Sequence, residues 1–108
     1  METIMNLTPH AVSFIDANGA TVLTVEPSGT IARVSSSITK TGEIAGLPVT
    51  ETVFGEVQDL PEQVEGVIYI TSSLVAQRVP TRNDVFIPNE LVRNEQGQVV
   101  GCRSLGRV

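Results

Sequence analysis

Residues 66–88, GVIYITSSLVAQRVPTRNDVFIP, constrain the fold more than any other stretch of the chain. Val67, Ile68, Tyr69 and Ile70 form an unbroken β-branched and aromatic run behind Gly66, the pattern of a strand buried on both faces. Ser72 or Ser73, just ahead of Leu74-Val75-Ala76-Gln77-Arg78, supplies a helix N-cap, and Pro80 limits that helix to about two turns. After the turn Thr81-Arg82-Asn83-Asp84, the run Val85-Phe86-Ile87 reads as a second strand, closed by Pro88. The stretch therefore predicts strand, capped short helix, strand. Its connection is only just long enough for a parallel crossover, so whether the two strands are neighbours stays open. A capped helix start behind a buried strand aims backbone N–H groups and two hydroxyls in one direction. Ser72 and Ser73 then form either an anion site or a purely structural cap.

The chain has 108 residues, enough for one domain with its own core and too few for two. Apolar content of 41% and charged content of 18% mark a globular rather than a disordered chain. A net charge of −5 argues against non-specific binding to nucleic acid or to anionic membrane. The charge is unevenly spread. Residues 1–65 carry nine acids and two bases, a net of −7, and residues 66–108 carry three acids and five arginines, a net of +2. Six of the seven cationic residues are arginine, the side chain suited to bidentate recognition of phosphate or carboxylate. The alternative is that they pair with surface carboxylates, which contributes little. One cysteine, Cys102, excludes an intramolecular disulfide and suits a reducing cytoplasm. Neither a signal peptide nor a membrane-spanning apolar run is expected.

Read in order, Met1 to Met5 resemble a short leader, and Asn6-Leu7-Thr8-Pro9-His10 is a turn-prone pentapeptide. Two strands, Ala11-Val12-Ser13-Phe14-Ile15 and Ala20-Thr21-Val22-Leu23-Thr24-Val25, flank Asn18-Gly19, the strongest short hairpin signal. After the turn Glu26-Pro27-Ser28-Gly29, a third strand is expected over Thr30-Ile31-Ala32-Arg33-Val34. A polar loop is expected from Ser35 to Gly42, and a tight hairpin over residues 42–46. An alternating strand over residues 47–54 and an acidic loop over residues 55–65 follow. Beyond Pro88, Leu91-Val92-Arg93 and residues 98–103 read as strands around the turn Asn94-Glu95-Gln96-Gly97, ahead of a short tail.

The common catalytic signatures are missing. There is one His, one Cys and one Tyr, and no phosphate-binding glycine loop. A structural zinc is not expected from such a donor set. An aromatic content of 4% without tryptophan gives no base-stacking platform for single strands. Cys102 and His10 sit at opposite ends of the chain and form a nucleophile–base pair only if the fold unites them; cysteine in an apolar strand is more often a small core residue. Asn6, Thr8 and His10 offer donors and acceptors within one turn, either to a ligand or to the local backbone. Arg82 and Asp84, two apart, either pair with each other or jointly hold a ribose or phosphate.

Several stretches in order resemble one family: Asn-Leu-Thr-Pro-His (Asn6 to His10), Pro-Ser-Gly (Pro27 to Gly29), Ala-Arg-Val (Ala32 to Val34), Tyr-Ile-x-Ser-x-Leu-Val-Ala (Tyr69 to Ala76), Arg-x-Asp-Val (Arg82 to Val85) and Gly-Cys-Arg-Ser-Leu (Gly101 to Leu105). The family comprises small proteins, mostly of unknown function, from bacteriophages, prophages and actinobacterial genomes. The resemblance implies a context. Small acidic phage proteins without catalytic machinery often inhibit host defence, and one class does so by sequestering nucleotide signals as homo-oligomers.

The expectation is a mainly β (α+β) fold: a small β-rich sandwich or partly open barrel with one short helix, a single domain over residues 1–108. Functionally, it is a protein that captures a small anionic, nucleotide-like ligand without consuming it. The expected ligand is a cyclic nucleotide or an ADP-ribose derivative. The protein would act in the cytoplasm of the bacterial host as a homo-oligomer, with no cofactor, metal, nucleic acid or membrane. Arg33, Arg82 and Arg103 are the expected phosphate contacts, and Ser72 and Ser73 donate from the helix start. Asn6, Thr8, His10 and Asp84 read ribose or base edges. On this reading Arg82→Ala removes binding and leaves the melting temperature nearly unchanged. The rivals are a hydrolase or lyase with His10 as general base, and a protein–protein module using the strand over residues 49–54.

Overall fold

The computed structural model describes residues 3–107. Eight strands and one helix follow in the order β1 (Thr3–Asn6), β2 (Val12–Ile15), β3 (Thr21–Val25), β4 (Arg33–Ile44), β5 (Leu47–Gln58), β6 (Val67–Ile70), α1 (Ser73–Arg78), β7 (Val85–Arg93) and β8 (Val99–Gly106). The fold class is as expected, mainly β with one short helix.

Six strands form one mixed sheet in the order β1-β6-β7-β8-β2-β3. The β6 run pairs in parallel with β1 on one side and with β7 on the other, so the question about the crossover is settled: β6 and β7 are neighbours. The expected leader is corrected. Thr3, Ile4, Met5 and Asn6 are strand β1, in register with Val67, Ile68, Tyr69 and Ile70; Met1 and Glu2 lie outside the described residues. The reason is a non-local one, because four residues acquire strand structure only when β6 lies alongside. Pro88 does not end β7. Pairing with β6 reaches only Val85 and Phe86, so Pro88 falls where one side of the strand is unpaired and its missing N–H is tolerated.

The sheet's two edges meet. Asn6, the last residue of β1, bridges Pro27, just beyond β3, and Ser28 N–H donates to Asn6 O at 2.9 Å. This contact rolls the sheet into a partly open barrel. Its inside holds Val12, Ile70 and Cys102, with Ile4, Phe14 and Leu105 against them, drawn from β1, β2, β6 and β8. The outer face of β6 carries Tyr69, which packs with Leu7, Ala32 and Val75 of α1 beneath the base of the β4–β5 hairpin. Alternation along β6 thus feeds two clusters, and Tyr69 and Ile70 are 2% and 0% exposed. Gly101 sits at the β8–β2 contact, where an added Cβ would come within 2.6 Å of Ile15 Cδ1 and 2.8 Å of Ser13 O. No side chain larger than hydrogen fits there.

The main correction concerns β4. The third strand begins at Arg33 rather than Thr30, and the expected polar loop over residues 35–42 is strand. It pairs along its whole length with β5, which runs on to Gln58 into the expected acidic loop. Ser, Thr and Gly between Ser35 and Gly42 carry no apolar alternation, so the run gives no strand signal until β5 supplies its hydrogen bonds. The two strands turn at Ala45 and Gly46, with φ of 53° and 79°, the left-handed pair a two-residue hairpin turn needs. Val34 and Val57 root this hairpin in the core, and the rest projects as an arm. The radius of gyration of 16.9 Å reflects that projection, since a compact chain of this length has about 13 Å.

The closure rests on the Asn6 side chain, which is fully buried. Asn6→Ala is expected to lower the unfolding free energy by about 2–3 kcal/mol, because Val25 O and its neighbours lose buried partners. Urea denaturation of both forms measures this difference.

Candidate functional site

Each expected site residue has a definite place. Asn6 is committed to the fold. Its Nδ2 donates to His10 O at 2.7 Å and to Val25 O at 3.0 Å, and its Oδ1 accepts from Thr8 N–H at 2.9 Å. Thr8 Oγ1 lies 2.6 Å from Asn6 Oδ1 and 2.9 Å from His10 O, and gives its single hydrogen to one of them. Of the two readings of this turn, the local-backbone one describes Asn6 and Thr8. Asn6 is fully buried and its amide is bonded to the backbone and to Thr8.

Arg82 and Asp84 take the pairing alternative. Arg82 Nε and Nη2 each donate to one Asp84 oxygen at 2.8 Å, and Nη2 also donates to Pro61 O at 3.0 Å. The Asp84 side chain is 5% exposed and that of Arg82 23%, so the pair is an internal brace, and the Pro61 bond ties the crossover to the segment between β5 and β6. The Arg82 guanidinium holds the Asp84 carboxyl below its usual range against the opposing effect of burial. Both residues are occupied by each other.

Ser72 caps α1, its Oγ accepting from Val75 N–H at 3.4 Å, and Ser73 is the helix's first residue. The helix has six residues. Ser72 thus does the structural job of the cap, and Ser73 is exposed beside it. Arg103 donates from Nη1 to Asp16 O at 2.7 Å, stapling β8 to the β2–β3 turn. The three expected phosphate arginines make different contacts: Arg82 bonds Asp84 and Pro61, Arg103 bonds the β2–β3 turn, and Arg33 lines the polar cleft described below.

Two concave surfaces remain. One is a cavity of about 320 Å³ between β2, β7 and β8, with Thr8 and His10 at its rim and Cys102 in its wall. The fold thus does bring His10 and Cys102 to one cavity. Its other walls are mostly aliphatic, with Leu91, Val99 and Val100 among them. Cys102 is 1% exposed, and burial pushes its thiol above the ordinary value, partly offset by backbone N–H groups of Asn89 and Ser104. A thiol shifted in that direction is protonated at neutral pH and is a poor nucleophile.

The second surface is a polar cleft of about 440 Å³ where the arm leaves the barrel, lined by Gly29, Thr30, Ile31, Arg33, Gln58 and Asp59. Arg33 and Gln58 are the first register pair of the hairpin, which places them side by side. Asp59 turns the chain out of β5 with φ of 60°, a left-handed conformation that aspartate tolerates. Arg33 is exposed, and neither of the two ion pairs among the described residues involves it. Sequence reasoning found Arg33 and missed Thr30, Gln58 and Asp59. Their only signal is the β4–β5 register, which two irregularities, at Val34/Ser36 and Lys40/Gly42, put beyond counting from the turn.

Among the described residues, no group of three or more His, Cys, Asp or Glu is placed to hold a metal ion, and no helix is long and apolar enough to cross a membrane. No protein-family model, curated protein or solved structure matches the chain. What the fold defines is a small, partly open mixed-β barrel with a projecting β arm and a polar cleft at the arm's root.

The brace has a stability signature. Arg82→Ala leaves a buried carboxylate unpaired and is expected to cost about 3 kcal/mol or more, where the ligand reading expects an unchanged melting temperature. Because the folded pKa of Asp84 lies below the unfolded one, its contribution is complete above the unfolded value of about 4 and is lost as pH falls through the folded value. Asp84→Asn should therefore flatten the acid limb of stability against pH, as read by urea titrations from neutral pH into acid.

Proposed function

We propose that this chain is a binding protein for a small phosphorylated, nucleotide-like ligand, held without chemical change in the cleft at the root of the arm. The observation that carries the reading is Arg33: an exposed guanidinium without a carboxylate partner, beside Gln58 and Asp59 in a polar cleft of about 440 Å³. The size falls within the ordinary range for small-ligand sites, roughly 300–1,000 Å³. Arg33 offers a fork of donors to a phosphate, and Asp59 offers acceptors to a ribose diol. Thr30 and the backbone around Gly29 close the opposite wall.

The resemblance to small phage and actinobacterial proteins supports a finer version. The ligand is then a nucleotide signal of host defence, a cyclic nucleotide or an ADP-ribose derivative, sequestered in the cytoplasm of the bacterial host. Binding is preferred to catalysis because the only cysteine is a buried, protonated thiol and His10 faces an aliphatic cavity. Hydrolysis by His10 remains the rival chemistry.

Arg33→Ala is expected to weaken binding at least tenfold, about 1.4 kcal/mol, with the melting temperature unchanged because Arg33 is exposed. The check is isothermal titration with cyclic dinucleotides and ADP-ribose derivatives, followed by chromatography of the recovered ligand. Recovery of intact ligand supports the reading. A converted ligand transfers the assignment to His10, and absence of binding to any of these compounds ends it.

A further inference from the structure

The β4–β5 arm lacks a core of its own. Over residues 36–56 every side chain but Val49 is exposed. Ile38, Ile44 and Leu47 are 70%, 69% and 67% exposed, too much apolar surface for a ribbon whose only ion pair is Lys40–Glu43 near the tip. Two strands alone are marginally stable in water. The register sorts the side chains into two faces. Ile38 lies opposite Thr52 and Ser36 opposite Phe54 on one face, while Ser37 lies opposite Val53 and Thr39 opposite Glu51 on the other. Leu47 and Val49 share the second face by alternation along β5, and the irregularity between Lys40 and Gly42 carries Ile44 onto it as well. That face is an apolar stripe of Ile44, Leu47, Val49 and Val53 holding one carboxylate, Glu51.

The barrel presents a surface of opposite character. Leu91, Val99 and Val100, about half exposed, stand at the cavity beside β2. Arg93, the register partner of Val99, is exposed and is hydrogen-bonded to a backbone carbonyl rather than to a carboxylate. Glu51 in turn is in neither of the ion pairs among the described residues. Apolar stripe and acid on the arm thus match apolar patch and arginine on the barrel.

We propose that two copies of this chain exchange arms. The Ile44, Leu47, Val49 and Val53 face of each arm covers the Leu91, Val99 and Val100 patch of the other copy, with Glu51 meeting Arg93. Area favours a reciprocal exchange. The free part of the arm is about 30 Å long and about 10 Å wide, so one face covers roughly 300 Å² and one docked arm buries roughly 600 Å² in total. That is the size of a lattice contact. Two arms docked reciprocally bury roughly 1,200 Å², the lower bound for a stable specific pair. The twofold arrangement closes on itself and leaves no stripe free to propagate a fibre. The proposal does not depend on the ligand reading, which concerns the arm's root.

The test is the mass of the full chain in solution by light scattering and sedimentation across micromolar concentrations. The expected result is a dimer, with Leu47→Glu on the arm and Val100→Glu on the patch each weakening it more than a hundredfold. Both positions are exposed, so thermal melts should show each variant still folded. Glu51→Arg should weaken the dimer, and combining it with Arg93→Glu should restore it. A monomeric wild type overturns the proposal. A dimer broken by Leu47→Glu but untouched by Val100→Glu also overturns it, since the arms would then meet each other rather than the barrel.

Discussion

One buried amide holds the barrel shut. Asn6 stands where the first strand of the sheet reaches the chain just past the last one, and its side chain bonds Val25, Thr8 and His10. Its own carbonyl takes Ser28 N–H, and Leu7 beyond it exchanges bonds with Ile70 and Ala32. The 25–32 stretch and the end of β6 are thereby fixed around Asn6 and Leu7, both 0% exposed. A buried polar group with every valence used specifies geometry in a way an apolar contact does not, because any shift in register leaves it unsatisfied. Everything downstream inherits this closure. Ala32 is held against Leu7, Arg33 follows at once, and the cleft and the arm both start there.

The molecule divides into a part that is self-sufficient and a part that is not. The barrel has its inner cluster around Ile70 and its outer cluster around Tyr69, with the Arg82–Asp84 brace securing the crossover between β6 and β7. The arm has cross-strand hydrogen bonds and little else beyond its root, where Arg78 lies over the Phe54 ring at 5.5 Å and donates to Phe54 O. The charge split between the two halves of the sequence now has a physical setting. Acids predominate over bases on the arm and its flanking loop, and the arginines of the second half staple backbone carbonyls around the barrel.

Local chemistry made much of this legible in advance. Asn18-Gly19 marks the β2–β3 hairpin, Ser72 caps α1, and the Val67 to Ile70 run marks a strand buried on both faces. Each signal lies within the element it describes. The failures share one cause, which is pairing at a distance. Thr3 to Asn6 is too short and too plain to declare itself a strand without β6. Ser35 to Gly42 looks like a loop because its partner supplies its order. In the site, Arg33 could be named because arginine is conspicuous. Gln58 and Asp59 could not, because only the hairpin register brings them back to Arg33. Asn6, Arg82 and Asp84 suggest ligand contacts by the same property that makes them good structural groups. Densely hydrogen-bonding side chains in turns serve a ligand or the backbone equally well, and burial decides between them.

The central claim is that closure at Asn6 is as stable as the core itself while the arm is held only by its own strands. Native-state hydrogen exchange tests it most directly. Ser28 N–H, bonded to Asn6 O, and Ala32 N–H, bonded to Leu7 O, should exchange only through global unfolding, with the same free energy as Tyr69 N–H in the core. Under conditions where the chain is monomeric, arm amides over residues 38–53 should exchange far faster. Fast exchange at Ser28 and Ala32, at the rate of the arm, would contradict the account, because the sheet's edges would then be parting while its core stays folded.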